Sequence, residues 1–161
     1  QGRMIDVNDP KEEGPFSPDR CGGLPSSQLV KLCFSGKYTA RQMQDKFSNQ
    51  GGIYAYLGTK DVREIEKMAD NGHELAALIL EALSYQVAKE IGAMGAVLEG
   101  EVNWIILTGG IAYSTPVVDN IIKRVQFMAP VVLMPGEEEL ESLAAGAFRV
   151  LTGQEAAQEY Q

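Results

Sequence analysis

A glycine pair after an apolar segment is the first place in this sequence where a small molecule could bind. Thr108, Gly109 and Gly110 directly follow the apolar residues 104–107. Glycine leaves a surface without Cβ, against which a flat ring or a ribose can lie. The segment lacks the full glycine fingerprint of a dinucleotide fold and the Gly-Lys-Ser/Thr end of a P-loop. A tight turn without any ligand is therefore an equally good interpretation.

Three consecutive glutamates, residues 137–139, follow a second apolar segment and the pair Pro135-Gly136. In the first turn of a helix, acidic side chains complement the helix dipole, and each contributes roughly 0.3–1 kcal/mol. One of these carboxylates could instead help to hold Mg²⁺, because hard cations prefer oxygen ligands. The pattern by itself favours the first interpretation.

Arg20 and Asp61 are the charged residues that stand out in the first half of the chain. Arg20 lies in residues 18–23, a loop that also contains a proline and two glycines. An arginine on such a loop is usually solvated, but its guanidinium is also free to contact a phosphoryl group through two hydrogen bonds. Asp61 begins a predicted helix, where an acidic residue needs no further function.

Several other kinds of site have no support in the sequence. The single histidine, His73, precedes a long predicted helix and is expected to be a surface or capping residue. Cys21 and Cys33 lie twelve residues apart, and with one histidine they form neither a zinc pattern nor a Cys/His nucleophile pair. No serine has the surroundings of a nucleophile elbow.

The composition is typical of one soluble globular domain, with 161 residues of which 45% are hydrophobic and 22% charged. The formal charge of −8 argues against non-specific nucleic-acid binding, which requires a basic surface. Two cysteines fit a reducing cytosol. No apolar run reaches the roughly 20 residues of a membrane-spanning helix. Because the chain opens with Gln1, we expect it to be a piece of a longer protein.

The first half of the chain is predicted to contain a short strand, a long loop and several helices. Residues 4–7 are an apolar run typical of a strand, whereas residues 8–25 hold four prolines and three glycines and indicate an irregular loop. A loop of this length suggests a function in binding. The remaining predictions are a helix from Ser26 or Ser27 to residue 34, helices over 40–47 and 61–69, and a strand or extended run over 53–57.

The clearest single element is a long helix predicted over residues 73–98. Apolar residues recur every three or four positions from Leu75 to Leu98 and therefore share one face. Small residues follow at four-residue spacing on an adjacent face, where another backbone can approach closely: Ser84, Ala88, Gly92 and Ala96.

The second half predicts two strand–turn–helix units. Strands are expected over residues 104–107 and 131–134, followed by helices that begin at Thr115-Pro116, with Thr115 as N-cap, and at residue 137. Unbroken apolar runs are typical of strands that are buried on both faces. Two such units predict an α/β fold, with a parallel or mixed sheet flanked by helices.

The order of these segments resembles the C-terminal part of the butyrate kinases, within the acetate and sugar kinase/actin-like ATPase superfamily. The resemblance is carried by residues 2–8, 13–20, 22–25, 29–36, 55–59, 88–94, 107–114 and 134–137. It implies the ribonuclease H-like/actin-like ATPase fold, with a mixed sheet that lacks its first strands. Residues 1–161 would then form the C-terminal nucleotide-binding domain of a longer two-domain kinase, and residues 8–25 would be a long loop within it.

The resemblance also implies an activity, the transfer of the γ-phosphoryl group of ATP to the carboxylate of butyrate. Arg20 matches the arginine that is aimed at the transferring phosphoryl group. Glu138, within the three consecutive glutamates, best matches the glutamate associated with Mg²⁺. The residues implied to lie along the adenosine of ATP or ADP are Asp61, Val62, Arg63, Gly109, Gly110, Ile111 and Ala112.

The resemblance further implies a cytoplasmic homodimer that takes a short-chain carboxylate and binds neither nucleic acid nor membrane. The phosphate loop and N-terminal domain of the family are not part of this chain, so the isolated chain is expected to be inactive. A kinase for branched-chain short fatty acids and a non-catalytic actin-like module for nucleotide binding or dimerisation remain open. Residues 23–25 and 56–59 favour the kinase, because they match that branch and not the actins.

Overall fold

The computed structural model of the chain describes residues 3–136 and 139–157. These ranges contain five helices followed by two strands that are each followed by a helix, with a short 3-10 helix, Gly110–Tyr113, after the first strand. The helices are α1 Ser26–Cys33, α2 Ala40–Ser48, α3 Gly52–Leu57, α4 Val62–Asp70, α5 Glu74–Val97, α6 Thr115–Val125 and α7 Glu139–Leu151. The strands are β1 Ile105–Gly109 and β2 Val131–Pro135.

Helix α5 is the centre of the packing, as its length in the sequence predicts. His73 is its N-cap, and the ring Nδ1 accepts a hydrogen bond from the Ala76 amide at 3.1 Å. Ile79 and Leu83 on the predicted apolar face are buried, whereas Leu75, near the N-terminal end of the helix, is exposed. The core therefore forms along the face of α5 that runs from Ala76 to Ala88.

The stripe of small residues on α5 brings helix α6 close. Ser84 and Ala88 are both buried, and Val117 of α6 is 1% exposed. The Ser84 hydroxyl donates to the Leu80 carbonyl in its own helix at 3.0 Å and lies 3.2 Å from the Val117 carbonyl oxygen. A larger side chain at position 84 would hold the two backbones apart, so the small stripe has a packing function.

The two strands pair in parallel, with Ile105 opposite Val131 and Gly109 opposite Pro135. This confirms the α/β class, and the sheet is parallel in the part of the chain that the structure describes. The expected burial of both sheet faces is wrong: Ile105 is buried but Ile106 is 58% exposed. Trp104 precedes the strand and is exposed as well. The reason is that the core residues of α5 and α6 pack with Ile105 on one face of the sheet, and the other face has no such cover in the described residues.

Other local predictions need correction. Residues 4–7 form no strand in the described ranges and are exposed, because no neighbouring strand lies there to pair with them. Residues 53–57 belong to helix α3 and not to a strand. A run of five apolar residues is too short to show whether its period is that of a helix or of a strand. Ser26 and Ser27 lie inside α1 after the N-cap Pro25, and Ser114 rather than Thr115 caps α6.

Candidate functional site

An open cleft of about 890 Å³ lies at the carboxyl end of β1. In α/β sheets this edge is where ligands bind, because the loops that follow parallel strands converge there. The start of α4 forms one wall and the turn after β1 forms the other, so segments more than 40 residues apart in sequence face each other. The lining residues are Pro18, Lys60, Asp61, Val62, Arg63, Glu66, Thr108, Gly109, Gly110, Ile111, Tyr113 and Ser114.

The turn after β1 depends on Gly109, whose backbone has a φ of 81°. This conformation strongly favours glycine, and a Cβ built on Gly109 would meet no other atom within 4 Å. The glycine is therefore required by the backbone, and open space lies beside it. Gly110 and Ile111 continue along the cleft, whereas Ala112 is buried in the core beneath it.

Asp61 and Arg63 form a self-contained pair on the opposite wall. Asp61 caps α4 by accepting from the Arg63 amide at 3.0 Å, which explains its position at the helix start. The guanidinium closes back on the same carboxylate, with Nε at 2.9 Å from Oδ1 and Nη2 at 2.6 Å from Oδ2. This hydrogen bonding lowers the pKa of Asp61 to about 2. The charge of Arg63 is thus balanced within the pair.

Glu66 is a cleft residue that the sequence interpretation missed. Its carboxylate accepts a hydrogen bond from the Ser114 hydroxyl, which also accepts from the Val117 amide at 3.4 Å to cap α6. Helix α4 is thereby tied to the start of α6 across the cleft. The available signal was spacing, since Glu66 follows Val62 by four residues and must share its helix face.

Arg20 lies on the loop beside the cleft rather than among the residues that line it. The same loop contributes Pro18 to the lining, and Asp19 pairs with the rim residue Lys60 at 3.4 Å. Lys60, which was not singled out from the sequence, therefore links the Arg20 loop to the wall formed by α4.

The Arg20 loop is held against the start of α3 by backbone hydrogen bonds. The donors and acceptors are Gly51 N–H to Asp19 C=O at 2.9 Å, Ile53 N–H to Ser17 C=O at 3.1 Å and Tyr54 N–H to Pro18 C=O at 2.9 Å. A Cβ on Gly52, which has a φ of 54°, would lie 1.8 Å from the Ser17 carbonyl oxygen. The long loop is thus ordered by a close approach that only glycine permits.

Glu138, the predicted metal ligand, lies outside the described residues. Within residues 3–136 and 139–157, no group of three or more His, Cys, Asp or Glu side chains is placed to hold a metal ion. None of the helices described there is long and apolar enough to cross a membrane.

The sequence pattern of the Acetokinase family matches residues 13–145, which include both walls of the cleft and the Arg20 loop. The chain belongs to the acetokinase family. A curated member similar to it is the probable butyrate kinase 2 of Caldanaerobacter subterraneus subsp. tengcongensis, with 53% identity over 154 residues. That match covers 96% of this chain and 44% of the relative, so this acetokinase-family chain spans less than half the length of its curated relative.

Solved structures of the family have the same fold as this chain. The acetate kinase of Porphyromonas gingivalis matches with a TM-score of 0.77 and 22% identity, over 86% of this chain and 41% of that one. A propionate kinase from Francisella tularensis subsp. tularensis matches with a TM-score of 0.70 and 21% identity, over 80% of this chain and 39% of that one. At these identities the likeness concerns the fold, which is that of the corresponding part of an acetokinase-family enzyme.

Proposed function

We propose that this chain is the C-terminal nucleotide-binding part of a two-domain kinase for a short-chain carboxylate. The favoured reaction is butyrate plus ATP to butyryl phosphate plus ADP, in which a carboxylate oxygen attacks the γ-phosphorus and the bond to the ADP oxygen breaks. The observation that carries the proposal is the cleft itself. It joins residues 61–63 with residues 109–111 in a member of the acetokinase family that is 53% identical to a probable butyrate kinase.

The two walls of the cleft suit the two faces of an adenosine. The open space beside Gly109 and the absence of side chains at Gly109 and Gly110 leave room for a flat ring or a ribose on one side. On the other side, Asp61 holds the planar guanidinium of Arg63, and such a plane stacks well on a base. In this proposal Val62 and Ile111 supply apolar contact, and Ala112 supports the turn from below.

Arg20 would act on the transferring phosphoryl group rather than on the nucleoside. Its loop borders the cleft through Pro18, which is compatible with this role. A guanidinium stabilises the negative charge that develops on the phosphoryl oxygens, which is the main contribution that a protein makes to phosphoryl transfer. Because the cleft contains two cations and two carboxylates among its described residues, its net charge does not attract ATP.

Glu138 is the residue of this chain that we propose to bind Mg²⁺. A divalent ion would bridge the phosphates and neutralise part of their charge. Glu138 follows Gly136, and Gly136 lies beside Gly109 at the end of the sheet through an antiparallel bridge. The assignment of Glu138, or of one of the adjacent glutamates, as the residue nearest the ion follows from the resemblance.

We assign butyrate as the favoured substrate and place the intact enzyme in the cytoplasm as a homodimer. The assignment of butyrate follows the name of the 53% identical relative. Branched-chain short fatty acids are the second candidate substrates. In either case the acyl group would bind outside the two walls of the cleft. A module that binds nucleotide without turnover is the competing function, and the experiment below separates them.

The test is ATP-dependent acyl phosphate formation by the full-length protein that carries this sequence, trapped as hydroxamate. We expect turnover with the highest kcat/KM for butyrate among butyrate, isobutyrate and acetate. Arg20→Ala should lower kcat by on the order of 10³-fold with little change in the KM for ATP, because the interaction is made in the transition state.

Arg41→Ala is the matched control, since Arg41 is an exposed arginine on α2. Nucleotide binding without turnover would contradict the kinase and favour the non-catalytic module. If Arg20→Ala mainly raised the KM for ATP, Arg20 would be a ground-state ligand and its proposed role would be wrong.

A further inference from the structure

The hydroxyl group of Ser17 is the centre of a small hydrogen-bond network around Arg20. Ser17 Oγ accepts from the Arg20 amide at 2.9 Å and from the Arg20 side-chain Nε at 3.3 Å. The same hydroxyl donates to Asp19 Oδ1 at 3.1 Å. The hydroxyl oxygen also lies 3.3 Å from the Asp19 amide nitrogen, so the Arg20 side chain shares its lone pairs with two backbone N–H groups of the turn.

The network continues to the cleft through Asp19. The second carboxylate oxygen, Oδ2, pairs with Lys60 Nζ at 3.4 Å, and Lys60 lines the cleft at the start of α4. A chain of contacts therefore runs from the cleft rim through Lys60, Asp19 and Ser17 to the side chain of Arg20. All of these side chains except Lys60 lie on one four-residue turn.

The backbone of this turn is fixed separately. The carbonyl groups of Ser17 and Pro18 accept hydrogen bonds from Ile53 and Tyr54 of α3, and that of Asp19 accepts from the N-cap residue Gly51. Ser17 N–H donates to the Arg20 carbonyl at 2.9 Å. The contact from Ser17 Oγ to Arg20 Nε is thus an addition to the backbone bonds. Among the described residues, the Arg20 side chain makes this one hydrogen bond and no other.

We propose that Ser17 and Asp19 are positioning residues for Arg20, which orient its guanidinium before the nucleotide arrives. Ser17 holds the guanidinium at Nε and leaves the two terminal nitrogens available for a phosphoryl group. Asp19 directs the Ser17 proton and, through Lys60, ties the turn to the wall of the cleft. A preorganised donor contributes more to the transition state than a mobile one, because no reorganisation is needed during the reaction.

This inference rests on the proposed function of Arg20, and a double-mutant cycle in the full-length protein tests it. Ser17→Ala should lower kcat about tenfold, as the loss of a residue that orients a functional group typically does, with the KM for ATP nearly unchanged. Ser17→Thr retains the hydroxyl and should restore most of the rate. Ser27→Ala is the matched control, because Ser27 is exposed on α1.

The decisive measurement is the same substitution in a protein that lacks Arg20. If Ser17 acts through Arg20, Ser17→Ala in an Arg20→Ala background should change kcat less than about twofold. Asp19→Asn, which retains a side chain of the same size on the turn, should show the same dependence on Arg20 and serves if Ser17→Ala does not fold. Thermal melts of each variant identify losses that come from unfolding.

Three results would overturn the inference. Equal losses with and without Arg20 would mean that Ser17 shapes the turn and has no effect through the guanidinium. A wild-type kcat in Ser17→Ala would mean that the side-chain contact has no role in the rate. A full-length wild-type protein without kinase activity would overturn both this inference and the proposed function, whereas the first two results leave the proposed function intact.

Discussion

Asp61 combines two functions that are usually separate on a helix surface. Its carboxylate caps α4 through the Arg63 amide and also holds both the Nε and Nη2 atoms of the Arg63 guanidinium. The pair lies on the surface, with 42% of the Asp61 side chain and 85% of the Arg63 side chain exposed. An exposed pair contributes little to stability, so its importance lies in fixing the plane of the guanidinium at the edge of the cleft.

The ion pair between Asp61 and Arg63 leads to a prediction about the titration of Asp61. The pKa of Asp61 is about 2 in the folded chain, against an ordinary value of 3.8, and the largest cause is the hydrogen bond from the Arg63 side chain. Because the folded-state pKa is depressed, the stabilisation is fully present above the ordinary value and is lost as the pH falls through about 2. Arg63→Ala should therefore raise the titration midpoint of Asp61 towards 3.8, as measured by carboxyl ¹³C NMR.

Arg41→Ala provides the control for this titration, since Arg41 is an exposed arginine that lines a different surface, on α2. It should leave the Asp61 midpoint at about 2. A midpoint near 3.8 in the wild-type chain would show that the guanidinium does not hold the carboxylate in solution. The orientation of Arg63 assumed in the proposed nucleotide site would then fail as well.

At the scale of elements, the junction between the Arg20 loop and α3 is the feature that orders the site. Three loop carbonyls accept from amides at the start of a six-residue helix, and the two backbones meet where Gly51 and Gly52 carry no side chain. A Cβ on Gly51 would lie 2.7 Å from the Cys21 amide nitrogen. The glycine pair therefore holds the Arg20 loop in place although it does not line the cleft.

Gly52 offers a matched test because Gly58, at the other end of α3, also has a positive φ. A Cβ on Gly52 would collide with the Ser17 and Arg20 carbonyl oxygens, at 1.8 and 2.7 Å, whereas a Cβ on Gly58 would meet no atom within 4 Å. We expect Gly58→Ala to cost about 1 kcal/mol, the strain of the backbone alone. Gly52→Ala should cost at least twice as much, because the loop must also move.

Urea unfolding of both variants measures this difference. An equal loss of unfolding free energy in Gly52→Ala and Gly58→Ala would contradict the close approach of the loop to α3. In the full-length protein, Gly52→Ala should also lower kcat, since the displaced carbonyls belong to the turn that carries Arg20. Gly58→Ala should leave kcat close to that of the wild type.

At the scale of the whole molecule, the chain carries extensive exposed apolar surface. On the sheet and the residues beside it, Trp104, Ile106 and Met134 are each more than half exposed. Helix α7 exposes a second set of apolar side chains, namely Leu140, Leu143, Phe148 and Leu151. Monomeric soluble proteins rarely expose contiguous apolar patches of large area, and the chain spans only 44% of its curated relative. Both facts support the proposal that a further part of a larger kinase completes the site.

We therefore expect the isolated chain to form no acyl phosphate from ATP and butyrate and the full-length protein to form it. Phosphoryl transfer depends on several groups acting together, and the described residues supply one open cleft and one neighbouring arginine loop. The hydroxamate assay on both proteins at equal concentration measures this, with circular dichroism as the check that the isolated chain is folded. Substantial turnover by the isolated chain would contradict the proposed division of catalytic parts.

The sequence by itself determined the features that depend on neighbouring residues. The period of α5, the cap at His73 and the two strand–turn–helix units follow from interactions within about four residues along the chain. Asp61 was expected in the first turn of its helix and is instead the N-cap of α4. The resemblance of ordered motifs added the family, which the match over residues 13–145 confirms. The roles assigned to the individual site residues stay predictions.

Only the tertiary structure decided how these parts meet. It placed residues 61–63 opposite residues 109–111, buried Ala112, and left the outer sheet face exposed. It also showed that residues 53–57 are helical and that the Ile53 and Tyr54 amides at the start of that helix donate to carbonyls of the Arg20 loop. These outcomes depend on contacts between segments tens of residues apart. A local pattern of residue types contains no information on which distant segments meet. Individual residues of the cleft could therefore be predicted from the sequence, but their arrangement around one cleft could not.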